Sequence, residues 1–463
     1  MNKRKNLYIH TIGCQMNIYD AERMGRYLYP LGYVVTPFLE MADLIIINTC
    51  SVREKAEQKT YSFLGRLVGM KKKQPGLIIG VGGCVAQQEG IRILQRVPQI
   101  DFVIGTHAIS RLPQVIEKIE KNKAFVVDID GISTIEDDVP CADDKKKDHV
   151  TAFITIMKGC DNYCTYCVVP FVRGREISRL PEAIIHEINT SVLSGVREVT
   201  LLGQNVNSYG QKQGLCSFHE LLSRVNDIGG LWRIRFTTSH PKDLSDDLIR
   251  CFGNLKKLCH HIHLPVQSGS NRILKLMNRH YTREQYIEKV DKLRQYSPDI
   301  GITSDVIVGF PGESRDDFNE TLDLINHVKY DSLFMFKYSD RPNAPATRFP
   351  DKISGPEKKE RFEELLALQK KLTEKKHQDL LESVMHILIE GKSKKQTEIP
   401  KDKKSSMEQW TGRTSTNKIV NFLGNQDEDT DNSLVGKMIE VKITKAFPHS
   451  LWGEALTPLV KLR

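Results

Sequence analysis

Short apolar runs alternate with helix-like segments over most of this 463-residue chain, and this alternation limits the fold more than any other feature. In the first 130 residues, three of these runs are LYIHTIGC, DLIIINTC and LIIGVGGC, and each ends in a cysteine. Strands that alternate with helices in this way form parallel sheets. We therefore predict an N-terminal parallel α/β, Rossmann-like domain over residues 1–130.

The three cysteines at these strand ends are Cys14, Cys50 and Cys84. Taken singly, each is typical of a small buried hydrophobe. The loops that leave the carboxyl ends of parallel strands lie along one edge of the sheet, so the three can converge in space. Together they favour a shared metal or cluster site.

The segment from residue 131 to residue 149, GISTIEDDVPCADDKKKDH, has opposed charge runs and a proline, which predicts a linker in which Cys141 is incidental. Six further strand-like runs follow, each with a loop and a helical segment after it: AFITIM, EVTLLGQN, RIRFTTSH, HIHLPVQ, GITSDVIVG and DSLFMFKY. Six β/α units in about 200 residues predict a partial (β/α)6 TIM-type barrel over residues 150–382. The active site of such a barrel lies at the carboxyl ends of its strands.

Residues 383–463 change character and contain the short runs VMHILIEG, MEQWTGR, KIVNF, MIEVKITKAF and LWGEAL, with polar loops between them. Five short strands in so few residues predict a small antiparallel, OB-like β-barrel, a fold that often binds oligonucleotides.

The segment MKGCDNYCTYCVVP holds three cysteines within eight residues, Cys160, Cys164 and Cys167, in a C-x3-C-x2-C array without a fourth cysteine nearby. A structural zinc site needs four protein ligands, and the fourth could come from CHHIH at 259–263. A cubane iron–sulfur cluster held by three cysteines instead leaves one iron open to a small molecule.

This array, with the aromatic Tyr166 before its last cysteine and a strand before it, is identified as the signature of the radical S-adenosylmethionine enzymes. The resemblance implies that S-adenosylmethionine binds the open iron and is cleaved reductively to a radical that removes hydrogen. The cofactor should be held by polar residues at the strand ends, although each could instead make a hydrogen bond within the barrel rim. The candidates are Tyr166, Gln204, Asn205, Ser239, Gln267 and Asp305.

Over nearly its whole length the chain resembles the radical S-adenosylmethionine methylthiotransferase family, in which the C-terminal barrel is a TRAM domain. GCDNYCTYCVVPFVRGREISR resembles its MiaB branch, which modifies tRNA, and the segments HTIGCQMN, NTCSVREKAEQK, LLGQNVNSYG, HLPVQSGS and DVIVGFPGE agree with it. The resemblance implies two [4Fe–4S] clusters, one at Cys160, Cys164 and Cys167 and an auxiliary one at Cys14, Cys50 and Cys84.

The implied reaction converts N6-isopentenyladenosine, next to the tRNA anticodon, to its 2-methylthio derivative. One S-adenosylmethionine would methylate a sulfur on the auxiliary cluster, and a second would be cleaved to remove hydrogen from adenine C2. Sister enzymes act on N6-threonylcarbamoyladenosine in tRNA or on a ribosomal-protein aspartate. Two further alternatives are a radical enzyme whose auxiliary cluster only relays electrons and a non-enzymatic iron–sulfur RNA-binding protein.

Lys and Arg outnumber Asp and Glu by 67 to 58, which permits a polyanionic partner without requiring one. Arg173 and Arg175 could contact RNA phosphates, or could pair with acids such as Glu176. In the C-terminal barrel the candidates for RNA contacts, each of which could equally be a solvated surface residue, are Arg413, Asn417, Lys418, Lys392, Lys394 and Lys395.

The chain has neither an apolar run long enough for a membrane span nor the apolar core of a secretory signal at its N-terminus. We therefore expect a cytoplasmic protein without a membrane partner, and a cytosolic chain with ten cysteines is more typical of metal binding than of disulfides. The expected partners are the isopentenylated tRNA, a flavodoxin- or ferredoxin-like electron donor and an iron–sulfur or sulfur carrier that rebuilds the auxiliary cluster. The expected state is a monomer.

Overall fold

A computed structural model describes residues 4–51, 54–122, 124–130, 150–393, 407–425 and 434–456. The predicted linker at 131–149, with Cys141, and the candidates Lys394 and Lys395 lie outside the described residues. None of the helices in the described ranges combines the length and apolar character that a membrane crossing needs.

The N-terminal part is a parallel α/β sheet, as predicted, and its described strands follow the order β2-β1-β3-β4-β5-β6. Its strands are β1 (Lys5–Thr11), β2 (Tyr33–Val35), β3 (Leu44–Thr49), β4 (Ile78–Gly83), β5 (Phe102–Ile104) and β6 (Val126–Asp128). Its helices are α1 (Gln15–Leu28), α2 (Glu54–Lys73), α3 (Cys84–Glu89), α4 (Ile91–Arg96) and α5 (Leu112–Asn122).

Strand β3 lies in the middle of this sheet, and all six of its residues are buried. Its sequence LIIINT is a continuous apolar run, which is typical of a parallel strand covered by helices on both faces. Side chains of alternate residues enter two separate cores, with Leu44 and Ile46 in one and Ile45 and Ile47 in the other. The sheet therefore holds the ends of β1, β3 and β4 side by side.

The central part contains six parallel strands in two three-stranded sheets, ordered β11-β10-β7 and β12-β13-β14, among the residues described. A parallel bridge between Ile234 and Leu258 joins the two sheets, and this arrangement confirms the predicted partial barrel. The strands are β7 (Thr151–Thr155), β10 (Glu198–Leu202), β11 (Arg233–Phe236), β12 (His261–His263), β13 (Gly301–Val308) and β14 (Ser332–Lys337). The short pair β8 (Met157–Lys158) and β9 (Ile177–Ser178) flanks the cysteine loop.

The helices of the central part are α6 (Val169–Val172), α7 (Pro181–Leu193), α8 (Phe218–Asn226), α9 (Asp246–Asn254), α10 (Asn271–Leu276), α11 (Arg283–Tyr296), α12 (Arg315–Val328) and α13 (Gly355–Gln378). Five of them begin after a serine or threonine whose side chain accepts a hydrogen bond from a backbone N–H of the first turn. These N-caps stabilise the start of each helix, typically by about 1 kcal/mol. Each N-cap therefore sets the residue at which the preceding loop ends and the helix begins.

The C-terminal part is a closed five-stranded barrel in the order β15-β16-β17-β19-β18, within the residues that the structure describes. Its strands are β15 (Val384–Lys392), β16 (Met407–Thr414), β17 (Ile419–Asn425), β18 (Met438–Ala446) and β19 (Leu451–Ala455). All the strand pairs are antiparallel except β17 with β19, which pair in parallel to close the barrel. The predicted small barrel is therefore confirmed, with one parallel seam.

The turn between β16 and β17, residues 415–418, docks against the amino ends of the central strands. Arg235 of β11 donates to the carbonyl oxygens of Thr414 (2.7 Å) and Ser415 (3.2 Å), and the His260 N–H donates to Ser415 Oγ (2.8 Å). A Cβ on Gly301, at the start of β13, would lie 2.8 Å from the Thr416 carbonyl oxygen. The turn therefore covers the end of the central barrel opposite the cysteine loop.

Buried charges hold this contact. The Arg235 guanidinium pairs with Glu198 at 2.8 Å, and both side chains are buried. Lys418 in the turn pairs with Asp331 at the start of β14, and Lys376 of α13 pairs with the same carboxylate at 2.8 Å. Breaking a buried pair by removing one partner is costly because the remaining charge stays buried without compensation.

We expect Arg235→Met to lower the free energy of unfolding by about 3 kcal/mol, since it leaves the buried Glu198 carboxylate with only Arg233 at 3.9 Å and two carbonyl oxygens without their donor. Urea unfolding measures this change. Removing both charges with Glu198→Gln and Arg235→Met should recover part of the loss, whereas Arg250→Ala, which breaks an exposed pair with Asp247, should have little effect. A loss for Arg235→Met no larger than that of Arg250→Ala would contradict the assignment.

Candidate functional site: two cysteine triads at facing loops

The N-terminal triad follows three neighbouring strands. Cys14 precedes α1 just after β1, Cys50 follows β3 directly, and Cys84 is the first residue of α3 after β4. Because β1, β3 and β4 are adjacent in the sheet, the three loops leave the same edge. We refer to these three residues as the auxiliary triad.

Two glycines allow the loops of the auxiliary triad to touch. A Cβ on Gly13 would lie 2.5 Å from Cys50 Cβ, and a Cβ on Gly83 would lie 2.3 Å from the Thr49 carbonyl oxygen. Gly83 also has a φ of +91°, which side chains rarely adopt. The close approach of these backbones therefore brings the auxiliary triad together.

The thiols of the auxiliary triad differ in their acidity. A hydrogen bond with Cys50 lowers the pKa of Cys14 to about 6, with help from the positive charge of Arg173. Burial raises the pKa of Cys84, although the Arg173 charge opposes this effect. A thiolate is the form that binds metal, and metal binding displaces the remaining thiol protons.

The second triad, Cys160, Cys164 and Cys167, lies in the loop between β8 and α6, and we refer to it as the radical triad. Gly159 has a φ of +75°, and a Cβ there would lie 2.0 Å from the Arg175 carbonyl oxygen. The Gly159 N–H donates to Gln204 Oε1 at 2.5 Å, at the carboxyl end of β10. The loop is thereby fixed over the strand ends of the central barrel.

Residues after α10 hold the other side of the radical loop. The Asn278 side chain donates to the carbonyl oxygens of Asn162 and Tyr163, and the Thr165 N–H donates to the Met277 carbonyl oxygen at 3.1 Å. The Val169 N–H donates to Cys167 Sγ at 3.4 Å, a contact that stabilises a sulfur ligand.

The radical triad fits a cluster better than a single ion. Burial raises the pKa of Cys160 to about 11 and that of Cys167 to about 12, and the neighbouring Cys164 adds to both shifts. These thiols need bound positive charge before they ionise. In the part of the chain that is described, no three His, Cys, Asp or Glu side chains are spaced to hold one metal ion, whereas thiolates of a cubane each bind a different iron.

Buried contacts join the segments that carry the two triads. Cys84 of the auxiliary triad forms one buried apolar cluster with Ala344 and with Val168 and Val172, which lie one and five positions after Cys167 in the chain. Thr106 Oγ1 of the N-terminal domain also donates to the Val172 carbonyl oxygen at 2.6 Å. The carboxyl ends of the N-terminal sheet and of the central barrel therefore face one another.

The predicted cofactor residues fall into two groups. The Ser239 Oγ is buried without a hydrogen-bond partner among the described residues, as are His240 Nε2 and Asn207 Oδ1 nearby in the same strand-end loops. Such orphaned buried groups are typical of a ligand site. Gln267 is buried with a φ of +72°, and Asp305 is partly exposed with its carboxylate 3.4 Å from His263 Nε2.

The side chains of the three other candidates make hydrogen bonds within the protein. Both amide protons of Asn205 are donated, to Asp243 (2.7 Å) and to Ser208 (3.0 Å), so its amide holds the loop instead of being free for a cofactor. Gln204 accepts from the Gly159 N–H as described, and the Tyr166 hydroxyl accepts from Arg279 at 3.3 Å.

Two of the residues predicted to contact RNA, Arg173 and Lys418, are buried and paired with acids of the protein. Arg173 is only 4% exposed, and its Nη2 donates to Asp20 Oδ2 at 2.9 Å beside the auxiliary triad, so it cannot meet a phosphate on the surface. The Lys418 side chain is 11% exposed and pairs with Asp331 in the docked turn. In each case the cation forms an ion pair with a buried acid from a segment that is distant in the sequence.

The remaining RNA candidates keep some access to solvent and stay predictions. The Arg175 side chain is 73% exposed, and its partner is Asp161 at 2.8 Å instead of Glu176. Arg413 pairs with Glu390 at 3.0 Å and donates to Asn417 Oδ1 at 3.2 Å, and Lys392 pairs with Glu408 at 2.6 Å.

Sequence reasoning missed three residues at the triads. Arg279 is buried and donates to Cys164 Sγ at 3.3 Å, and no motif marks it. Asn17 Oδ1 accepts from the Cys14 thiol at 3.2 Å, and Asp20 pairs with Arg173. A signal for these last two existed, since Asn17 and Asp20 lie on the first turns of the helix that starts after Cys14.

Comparison with known proteins matches three regions of the chain. The profile described as "Uncharacterized protein family UPF0004" matches residues 6–105, that of the Radical SAM superfamily residues 154–325 and that of the TRAM domain residues 382–456. A protein of Desulfosudis oleivorans named tRNA-2-methylthio-N(6)-dimethylallyladenosine synthase is 51% identical over 98% of this chain and 97% of its own length. The protein of the same name from Syntrophus aciditrophicus is 50% identical over 98% of this chain and 95% of its own length.

The chain belongs to the MiaB-type tRNA methylthiotransferase family. Its radical SAM domain implies a [4Fe–4S] cluster and S-adenosylmethionine. A solved structure of the radical S-adenosylmethionine methyltransferase TsrM from Kitasatospora setae shares the fold, with a TM-score of 0.57 and 12% identity over 74% of this chain and 75% of that one.

We expect Gly159→Ala to lose the radical cluster of this methylthiotransferase, because the added Cβ would displace the Arg175 carbonyl that braces the loop. Iron content and the electron paramagnetic resonance (EPR) signal of the reduced radical cluster measure this loss. Gly195→Ala is the matched control, since Gly195 also has a positive φ (+106°) but has no atom within 4 Å of the added Cβ. Equal cluster content in the two variants would contradict the assignment.

Proposed function

We propose that this chain methylthiolates C2 of N6-isopentenyladenosine next to the anticodon of tRNA, with sulfur that is held at the auxiliary triad. The contact between Cys84 and the segment that follows Cys167 supports this proposal most directly. Under this proposal, the site for sulfur and the site for hydrogen removal would lie on the two sides of that contact.

The proposal requires a [4Fe–4S] cluster at each triad, and the residues present fit both. When bound, the clusters and S-adenosylmethionine supply the reductive radical chemistry and the sulfur that an inert aromatic carbon requires. The chain supplies positioning: Gln204 and Asn278 fix the radical loop, and Arg279 donates to Cys164 Sγ. Ser239 and Gln267, buried at strand ends, are the proposed contacts for S-adenosylmethionine.

The proposed RNA surface lies on the rim of the radical loop. Arg175 and Lys212 both contact Asp161, and Lys242 Nζ donates to Asn162 Oδ1 at 2.6 Å, so three partly exposed cations surround the loop. Tyr163 between them is 45% exposed and has a φ of +47°, an unusual conformation for a bulky residue. Exposed cations beside an aromatic ring suit the phosphates and splayed bases of a single-stranded RNA loop.

The reaction also needs partners. An electron donor of the flavodoxin or ferredoxin type would reduce the radical cluster, and an iron–sulfur or sulfur carrier would rebuild the auxiliary cluster after sulfur transfer. A tRNA substrate puts the reaction in the cytoplasm, and the proposed unit is a monomer.

The first test uses anaerobically reconstituted protein with reductant, S-adenosylmethionine and isopentenylated tRNA. We expect 5′-deoxyadenosine and the methylthiolated nucleoside from the wild type, measured by mass spectrometry. Cys50→Ala should abolish sulfur insertion but leave some 5′-deoxyadenosine, because only the auxiliary triad is broken. Cys251→Ala, which changes a buried cysteine of α9 outside both triads, should retain both products.

The outcomes separate the alternatives. Sulfur insertion by Cys50→Ala would contradict the role of the auxiliary triad, and absence of 5′-deoxyadenosine from the wild type would exclude radical cleavage. Cleavage without product on isopentenylated tRNA, but with product on threonylcarbamoylated tRNA or on a ribosomal protein, would favour a sister enzyme.

We expect Arg175→Gln to weaken tRNA binding and to lower the slope of log affinity against log salt by about 1, because one phosphate contact is lost. Filter binding at several salt concentrations measures both quantities. Lys418→Gln, which removes a cation that Asp331 already pairs, should leave the salt slope unchanged and reduce stability instead. The reverse pattern would move the RNA surface to the TRAM domain.

A further inference from the structure

A group of buried cations lies beside the auxiliary triad. Arg23, Lys158, Arg173 and Arg179 are each less than 10% exposed. Arg173 pairs with Asp20 at 2.9 Å and Arg179 pairs with Glu187 at 2.6 Å. Arg23 has no acidic partner within 4 Å among the described residues, so the three buried arginines outnumber the two acids that pair with them, Asp20 and Glu187.

Unused hydrogen-bonding atoms lie in the same region. Arg173 Nη1, Asp20 Oδ1 and Ser51 Oγ are buried and have no hydrogen-bond partner in the described part of the chain. Arg173 uses Nη2 for Asp20, and the other arm of its fork, Nη1, has no hydrogen-bond partner in the described part of the chain, although the guanidinium lies close enough to the Cys84 thiol to oppose the effect of burial on its pKa. A buried charged group without a partner is costly, which indicates that a ligand completes it.

Arg173 directly faces the auxiliary triad. Its neighbour Val172 packs against Cys84, and its partner Asp20 lies on the helix that begins after Cys14. Ser51 follows Cys50 in the chain. The charge of Arg173 therefore acts directly on two thiols of the auxiliary triad, those of Cys14 and Cys84.

The positive charge of this region favours a ligand that is an anion. A cubane cluster held by three thiolates has a net negative charge, and sulfide or a methanethiolate at its open iron would add to that charge. Arginine offers a planar fork of donors that suits such anions, and charge-assisted hydrogen bonds are about twice as strong as neutral ones.

We propose that Arg173, held by Asp20, is a positioning residue that binds an anionic sulfur ligand, sulfide or a methanethiolate, at the auxiliary triad. The inference rests on the proposed function of that triad. It gives Arg173 a different role from the RNA contact that its sequence context predicts.

The origin of Arg173 adds a consequence. The cysteines of the auxiliary triad belong to the N-terminal domain, but Arg173 belongs to the segment after the radical triad. Thr106 Oγ1 donates a hydrogen bond to the Val172 carbonyl oxygen of this segment, and a Cβ on Gly174 would lie 3.3 Å from His107 Nε2. The sulfur site is therefore complete only when the two domains are docked.

The test uses the full chain with Cys160→Ala, Cys164→Ala and Cys167→Ala, so that only the auxiliary cluster can assemble. Methanethiolate is titrated into the reconstituted protein, and its Kd is read from the visible and EPR spectra of the cluster. Adding Arg173→Gln should raise the Kd about 10- to 100-fold. It should also lower the midpoint potential, because a nearby positive charge favours the reduced cluster. Arg173→Lys, which keeps the charge without the fork, should fall between.

Arg250→Gln is the charge control, since it removes one positive charge at an exposed position away from both triads, and its Kd should equal that of the background. An unchanged Kd for Arg173→Gln with full iron content would overturn the inference. If that variant fails to assemble the cluster, Asp20→Asn with Arg173→Gln removes both buried charges, and an unchanged Kd there overturns it equally. If neither of these two variants assembles the cluster, a Kd for Arg173→Lys equal to that of the background protein would overturn the inference. A background chain that holds no iron contradicts the proposed function instead.

Discussion

The packing of Cys84 against Val168 and Val172 is the contact on which the functional site depends. It joins the N-terminal sheet to the central barrel, whose described strands do not pair with one another across the two domains, and each domain supplies the carboxyl ends of its strands. Because catalytic loops leave parallel strands at that edge, two such domains can combine their chemistry only if the edges face. The hydrogen bond from Thr106 and the buried pair of Arg173 with Asp20 fix this orientation.

Different forces hold the two ends of the central barrel. At the cysteine end, backbone segments approach so closely that only glycine fits at Gly83 and Gly159, and the loops are fixed by hydrogen bonds to carbonyl oxygens. At the other end, Arg235, itself paired with Glu198 inside the barrel, donates to two carbonyl oxygens of the TRAM turn, and Lys418 of the turn forms a buried ion pair with Asp331. Close backbone contact suits a site that must position atoms, whereas buried ion pairs suit a permanent joint between domains.

The sequence predicted three strands of the N-terminal sheet, the six of the central barrel, their parallel arrangement and the two cysteine triads, because apolar runs and cysteine spacing are local signals. It did not predict where the cations go. Arg173 pairs with a carboxylate 153 positions earlier in the chain, and Lys418 with one 87 positions earlier. Partners so distant depend on how the domains dock, which no local pattern encodes. Asn205 shows the same limit, since its motif marks a strand end but not the three protein groups that use its amide.

The docked TRAM turn also limits the routes by which small molecules and substrate can reach the reacting atoms. The barrel strands enclose a packed apolar core, and residues 415–418 lie against the amino ends of β11, β12 and β13. Water, oxygen and substrate must then approach the reacting atoms from the cysteine end, where an RNA loop would itself cover the opening. The substrate would thus act as the lid that shields a radical from solvent, and the TRAM domain as the floor.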